Sequence, residues 1–307
     1  MKSLLPIFLL SFSVAACAQS ETDYPLQQVA DGIYYHQGVH EEANKTNIGA
    51  IANVGFIVGE SCVAVIDSGG SYREGELLKQ AIQNKTSVPI CYVINTHVHP
   101  DHILGNAAFK GENVKFVGHE KLPAAIASRE AYFSRNFEEI LGDAYTGTEF
   151  ISPDTLVSPN QPMSLDLGGR TITLTAYSTS HTDHDLTVLD ETSQTLWTGD
   201  LLFRERMPAL DGSINGWIAT LKTLQEASFK AVIPGHGPAA INEDADWNKL
   251  LHYLETIREG IRTVINDLGT LEEATTTVGL SEREKWELFE EYHRRNVTAA
   301  FVELEWE

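Results

Sequence analysis

Short apolar runs, some alternating and some continuous, fill the chain up to about position 240. Beyond that the apolar residues settle into three- and four-residue spacing. After a polar linker over about Gln19 to Gln28, GIYYHQG reads as a first strand. NVGFIVGESCVAVIDSGG holds two β-rich runs broken at Gly59–Glu60, the pattern of a hairpin. In SYREGELLKQAIQNKT, Leu77, Leu78, Ala81 and Ile82 share one helical face. PICYVINTHVH is a continuous apolar run of the kind found in buried parallel strands. Residues Cys62 to Thr96 therefore predict a strand–helix–strand unit. VKFVGHE predicts another strand, and KLPAAIASREAYFSRNFEEILG a helix expected to cover the end of that unit.

A second β-rich half follows. RTITLTAYSTSH, DLTVLDE and TLWTGDLLF read as strands, with a turn at ETSQ. GWIATLKTLQEA predicts a helix with Trp217, Ile218, Leu221 and Leu224 inward, and KAVIPGHG a strand. In the tail, Trp247, Leu250, Leu251, Leu254, Ile257, Ile261, Val264 and Ile265 define an amphipathic helix. Ser281 to Glu284 (SERE) has the form of a capping box opening the last helix. No short-period repeat or low-complexity segment interrupts this order. The division expected is a leader over 1–18, one α/β domain over 19–240, and a helical extension over 241–307 packed on the same domain.

Charge narrows the partners. The 307 residues carry 22 Lys+Arg against 43 Asp+Glu, a formal net charge of −21. Such a surface repels phosphate backbones, which excludes nucleic acid as a partner. The leader MKSLLPIFLLSFSVAACAQS has one lysine, an apolar run from Leu4 to Val14, then small residues. This is the form of a secretory signal, too short for an ordinary membrane span. VAAC, Val14 to Cys17, is similar to a bacterial lipobox, which would make Cys17 a lipid-bearing N-terminus in the periplasm, anchored to the outer membrane. Cleavage before Gln19 is the alternative.

Export permits disulfides. Cys62 and Cys91 each stand five residues before an anchor in a strand, Asp67 and Thr96. Parallel neighbours with aligned ends would put the two cysteines side by side, since adjacent strands lie about 4.8 Å apart. Side chains facing one way on such strands often miss the disulfide dihedral, and buried free cysteines pack well. A pair of buried thiols is therefore the expectation.

The chemistry concentrates in THVHPDH, Thr96 to His102. Imidazole is the commonest biological metal ligand. Side chains two apart in an extended segment point the same way, so His97 and His99 can grip one ion. Pro100 ends the extended run, and Asp101 and His102 turn toward a second ion. His181, Asp200 and His236 also fall at predicted strand ends, where open α/β sheets place their sites. Gly199, Gly235 and Gly237 let the backbone approach closely there. Neutral imidazoles with a few carboxylates and no thiolate suit zinc. Asp67 reads either as a cap on the following helix or as support for a metal-bound histidine. His119 reads as a rim residue, His184 as a proton donor or supporting group, and Met207 to Asp211 as the entrance. His36, His40, His252 and His293 read as structural or solvent-exposed.

THVHPDH with His181, Asp200 and His236 in this order, together with the DSGG turn at Asp67 to Gly70, resembles the metallo-β-lactamase superfamily. The resemblance runs from about Gly32 to Gly237. It implies an αββα sandwich, two mixed β-sheets with helices outside, and a centre of two Zn2+ ions per chain. By analogy His97, His99 and His181 hold one metal, Asp101, His102 and His236 the other, and Asp200 bridges them. Zinc β-lactamases usually carry Cys or Ser at the place of Asp200, whereas a bridging Asp resembles glyoxalase II, the lactonases and other esterase-like members. The flavodiiron relatives carry Glu at the place of His99, which disfavours redox chemistry. GVHEEANKTNIGAIANVGFIVG, SHTDHDLTV and GDLLFRERMPALDGSINGW are together similar to exported zinc metallohydrolases linked to quinoprotein relay systems and sulfur-oxidation clusters. The function implied is hydrolysis of an ester, thioester or lactone in a small molecule, metal-bound hydroxide attacking the carbonyl and Asp101 taking up the proton. β-Lactam hydrolysis is the alternative, and a non-catalytic metal-binding relay component the rival of another class.

Overall fold

The computed structural model describes residues 24–242 and 246–307. The leader, its cleavage sites and Cys17 lie outside the described residues. Two mixed sheets pack face to face between helices. In the first sheet β1 (Gln27–Ala30), β2 (Ile33–His36), β3 (Val54–Val58) and β4 (Val63–Ile66) form an antiparallel meander. β5 (Ile90–Ile94), β6 (Lys115–His119) and β7 (Thr155–Val157) continue it in parallel. In the second sheet β8 (Met163–Asp166), β9 (Thr171–Ala176), β10 (Leu186–Asp190) and β11 (Thr195–Phe203) are antiparallel. β12 (Ala231–His236) joins β11 in parallel, and β13 (Ala240–Ile241) closes the edge. The αββα expectation holds.

Strand alternation sorts the core. In β4, Ala64 and Ile66 face the second sheet and meet Ile172, Leu174, Val188 and Trp197. Val63 and Val65 face outward onto Leu78 and Ile82 of α1 (Tyr72–Lys85). A one-residue shift of pairing would exchange the two faces, so this register is specified by burial on both sides. Ser71 caps α1 by accepting from the Glu74 backbone N–H at 3.0 Å. Asp67 is therefore free for another task.

The short helix α2 (Pro100–Ile103) turns the chain at the site, and α3 (Leu122–Leu141) covers it by packing Leu122, Ala125 and Ile126 on Val98 and Ile103. Outside the second sheet lie α4 (Ile214–Glu226), α5 (Trp247–Asn266), α6 (Leu271–Thr277) and α7 (Phe289–Leu304). Their buried faces share one core with β11: Leu201, Trp217, Leu221, Leu254, Ile257, Val297 and Phe301 belong to a single cluster. Among the described residues no helix is long and apolar enough to cross a membrane.

Beyond the short strands β7, β8 and β13, which the sequence reading lacks, the structure departs from it in three places. The end of the polar linker forms β1, which lengthens the first sheet by pairing Gln27 with Tyr35. SERE does not open the last helix. Leu280–Lys285 is a separate 3-10 turn, and α7 begins only at Phe289, after Leu288 in a left-handed conformation. Burial of Trp286 and the parallel bridge between Arg206 and Glu287 pull this stretch out of helical geometry. Cys62 and Cys91 are joined as a disulfide, with Cα atoms 5.7 Å apart. The expected register was one residue out: Ile66 opposes Ile94, and the irregularity between Val63 and Ala64 leaves Cys91 between the paired Ile90 and Tyr92.

Candidate metal centre

The predicted ligands meet at one end of the sandwich. His97 and His99 follow β5, Asp101 and His102 lie on α2, and His181 sits in the β9–β10 connection. Asp200 lies within β11, and His236 ends β12. They fall into two groups whose ligand atoms lie within 4.8 Å of one another: His97, His99, His181 and Asp200, then Asp101, His102 and His236.

In the first group His99 Nδ1 lies 3.0 Å from His97 Nε2 and 3.1 Å from His181 Nε2. Asp200 Oδ2 is 3.6 Å from His97 Nε2 and 3.4 Å from His181 Nε2. In the second, Asp200 Oδ1 is 3.2 Å from His102 Nε2 and 3.4 Å from His236 Nε2. Asp101 Oδ2 is 3.3 Å from His236 Nε2. The two oxygens of Asp200 thus face different groups, as a bridge between two cations requires.

The outer nitrogen of each imidazole is anchored, which fixes which nitrogen faces inward. His97 Nδ1 meets Thr96 Oγ1 at 3.0 Å, and His102 Nδ1 meets Asp67 Oδ2 at 2.8 Å. His181 Nδ1 meets the Ala209 carbonyl at 2.6 Å, and His236 Nδ1 the Ile51 carbonyl at 2.8 Å. His99 is reversed: its Nε2 meets Asp211 Oδ2 at 3.3 Å, and Arg129 holds the same oxygen at 3.0 Å. Asp67 also accepts from the Thr96 N–H and hydroxyl, both at 2.8 Å, so it is histidine support and not a helix cap. Its backbone is left-handed (φ 54°), a conformation that aspartate tolerates better than most residues.

Two observations fit this donor set to cations. His102 Nε2 and Asp200 Oδ1 are buried, and neither makes a hydrogen bond. Leaving such groups unsatisfied is costly. The electrostatics agree. Burial holds His97 well below the ordinary imidazole range and His181 down to about 3, leaving neutral lone pairs. Burial opposes charge on His102 and His236 too, yet both are raised, in each case chiefly by Asp200. Burial would raise Asp200 and Asp101, but the neighbouring histidines hold both low. His97 and His181 are thus neutral donors, and the carboxylates that favour a proton on His102 and His236 favour a divalent cation in its place.

Glycine makes the geometry possible. A Cβ on Gly235 would stand 1.9 Å from Asp200 Oδ1. Gly199 has φ +50°, and a Cβ there would stand 2.6 Å from Thr96 Cβ.

Other sequence assignments land elsewhere. His119 is buried, its Nε2 3.1 Å from the Tyr177 carbonyl, and is not a rim residue. Met207 packs in the core, while Ala209 and Asp211 of the same stretch reach the site. His184 stands apart from both groups, with Nδ1 2.9 Å from Thr182 Oγ1. Burial lowers it to about 4, so it is a neutral imidazole near neutral pH.

A cavity of about 300 Å³ opens over the ligands, with His99, Asp101, Asp200 and His236 in its lining. Phe133, Phe137 and Ile140 of α3 form one wall; Arg206 and, from α7, Tyr292 and Arg295 also line it. Sequence reasoning placed Asp211 at the entrance without its link to His99, and missed Arg129, Tyr292 and Arg295, which carry no motif and come from distant segments.

A paired His/Asp cluster at the mouth of an αββα sandwich, beneath an open cavity, defines a metal-dependent hydrolase. The sequence profile of the metallo-beta-lactamase superfamily matches residues 48–236, and the chain belongs to that superfamily. It is 25% identical over 227 residues to the metallo-beta-lactamase type 2 of Bacillus sp. (strain 170), covering 72% of this chain and 78% of that relative. Among solved structures it is similar to a metallo-beta-lactamase from Pontibacter korlensis, with TM-score 0.59, 18% identity and coverage of 74% and 98% of the two chains. It is also similar to a double mutant of the sec-alkyl sulfatase PisA1, with TM-score 0.70 and 16% identity over 92% of this chain and 50% of that one.

Proposed function

We propose that the protein is an exported dinuclear zinc hydrolase acting on an ester, thioester or lactone carbonyl of a small molecule. The observation that carries this reading is Asp200, whose two oxygens face separate ligand groups. Two zinc ions, when bound there, would supply hydroxide near neutral pH and positive charge for a carbonyl oxygen. His97, His99 and His181 would hold one ion, Asp101, His102 and His236 the other. Asp101 has a side chain 15% exposed and lines the cavity, so it can orient a water and accept its proton at a carboxylate oxygen. Outer-nitrogen contacts keep the imidazoles aimed, and α3 limits access of bulk water. His184 serves as buried support for the β9–β10 connection.

Elemental analysis of the purified protein should find about two zinc ions per chain, with esterase, thioesterase or lactonase turnover abolished by chelation and restored by zinc. An intact fold without transition metal would sink the reading. Nitrocefin turned over faster than every ester, thioester and lactone would favour the β-lactamase alternative, which the Bacillus relative supports.

The leader and the Cys62–Cys91 disulfide support export, since such bonds persist in oxidising compartments. Cys17 is expected to carry lipid in a bacterial host. Globomycin should trap the precursor, and Cys17→Ser should release the protein from the membrane fraction. A mature N-terminus at Gln19 would overturn the lipid anchor.

A further inference from the structure

The chain has about two acids for every base, yet its cavity wall gathers arginine. Two guanidinium groups lie against the Tyr292 ring, Arg206 at 5.3 Å and Arg295 at 5.8 Å from its centre. Arg206 is buried and donates to the Glu41 carbonyl at 3.1 Å and to Tyr292 Oη at 2.8 Å. Its neighbouring carboxylate, Glu42, stands 3.9 Å away and also accepts from the Tyr292 hydroxyl. Arg295 has no carboxylate within ion-pair distance among the described residues.

Of the three carboxylates in the lining, Glu42 faces Arg206, while Asp101 and Asp200 belong to the ligand groups, which leaves the Arg295 guanidinium without one of its own. A planar guanidinium offers paired donors that match a carboxylate, and stacking on an aromatic ring holds it ready to do so. One unpaired guanidinium suits a monoanion better than a phosphate dianion. Phe133 and Phe137, elsewhere in the lining, suit an apolar segment of the same ligand.

We propose that Arg295, backed by Arg206 and Tyr292, forms an anion subsite, and that the substrate carries a carboxylate joined through an apolar segment to its scissile carbonyl. The carbonyl part rests on the hydrolase reading above; the anion subsite does not.

The test uses the zinc-loaded mature chain and two probes of one shape, 4-phenylbutyrate and 4-phenylbutyramide, measured by calorimetry. The carboxylate should bind about tenfold tighter than the amide, and Arg295→Gln should remove that advantage. Arg295 is exposed, so the substitution is compatible with folding. Equal affinities, absence of binding, or an advantage retained in Arg295→Gln would overturn the subsite; the last would place the carboxylate on the metals. In a parallel arm, kcat/KM for phenyl hydrogen glutarate over its neutral methyl ester should fall about tenfold in the variant. Charge-selective binding without turnover of either ester would sink the hydrolase reading alone. Turnover without charge preference would sink the subsite alone.

Discussion

Asp200→Ala is expected to abolish turnover while the far-ultraviolet circular dichroism stays that of the parent. The side chain contributes one oxygen to each ligand group, so its loss removes a ligand from both at once. It would also remove the negative charge lying between the two ligand groups of a buried site. Losing a mere outer partner of a metal ligand costs about 10–100-fold in affinity or activity. Loss of the bridge should exceed that range, and metal content should fall toward one ion or fewer per chain. The fold survives because the core between the sheets and the core beneath the outer helices are built from other residues. An unchanged turnover number would show that Asp200 is no bridge.

Gly235→Ala should come close to the same loss through a single methyl group. The added carbon would stand 1.9 Å from Asp200 Oδ1, 2.7 Å from the Gly199 carbonyl carbon and 2.8 Å from the Asp200 nitrogen. Two of those three atoms are backbone of the neighbouring strand, so the site cannot relax by turning one side chain. Either the carboxylate leaves its position or β11 and β12 separate locally. Overpacking of this kind costs about 1–3 kcal/mol. Denaturant unfolding should show a fall of that size, and metal analysis should show a depleted site. Wild-type metal content together with wild-type turnover would mean that β12 yields more easily than its packing suggests.

The ligand positions were legible because their local geometry is simple. His97 and His99 fall in one ligand group as their spacing predicts, although β5 ends at Ile94 and the chain bends over 96–98, and Pro100 opens the turn that sends Asp101 and His102 to the other group. The sandwich was legible because β9 alternates strictly in burial and β4 is a continuous apolar run buried on both faces. What stayed hidden depends on contacts between distant segments. Asp211 becomes the partner of His99 only because the chain after β11 returns beneath α3. Tyr292 and Arg295 reach the cavity only because α7 packs on α5 and α6 and Asn296 ties it to Pro208 and Leu210 in the segment after β11. SERE misled because a local capping pattern competed with burial of Trp286 and lost. The cysteine pair misled because the register between β4 and β5 shifts at Cys91, and no sequence rule locates such an irregularity.

The last helix carries a consequence for how such a protein can diversify. All seven ligand positions fall between 97 and 236, inside the stretch matched by the family profile, whereas Tyr292 and Arg295 lie beyond it. On the proposal above, part of the choice of molecule rests on a stretch separable from the ligand positions, while Arg206, Phe133 and Phe137 stay within the matched one. Recombination downstream of His236 can exchange one cavity wall and leave the His/Asp cluster intact. The exchange is bounded by the shared core: an incoming tail must present apolar groups where Leu254, Ile257, Val297 and Phe301 now stand. Within that constraint, new preferences can arise without reinventing the chemistry.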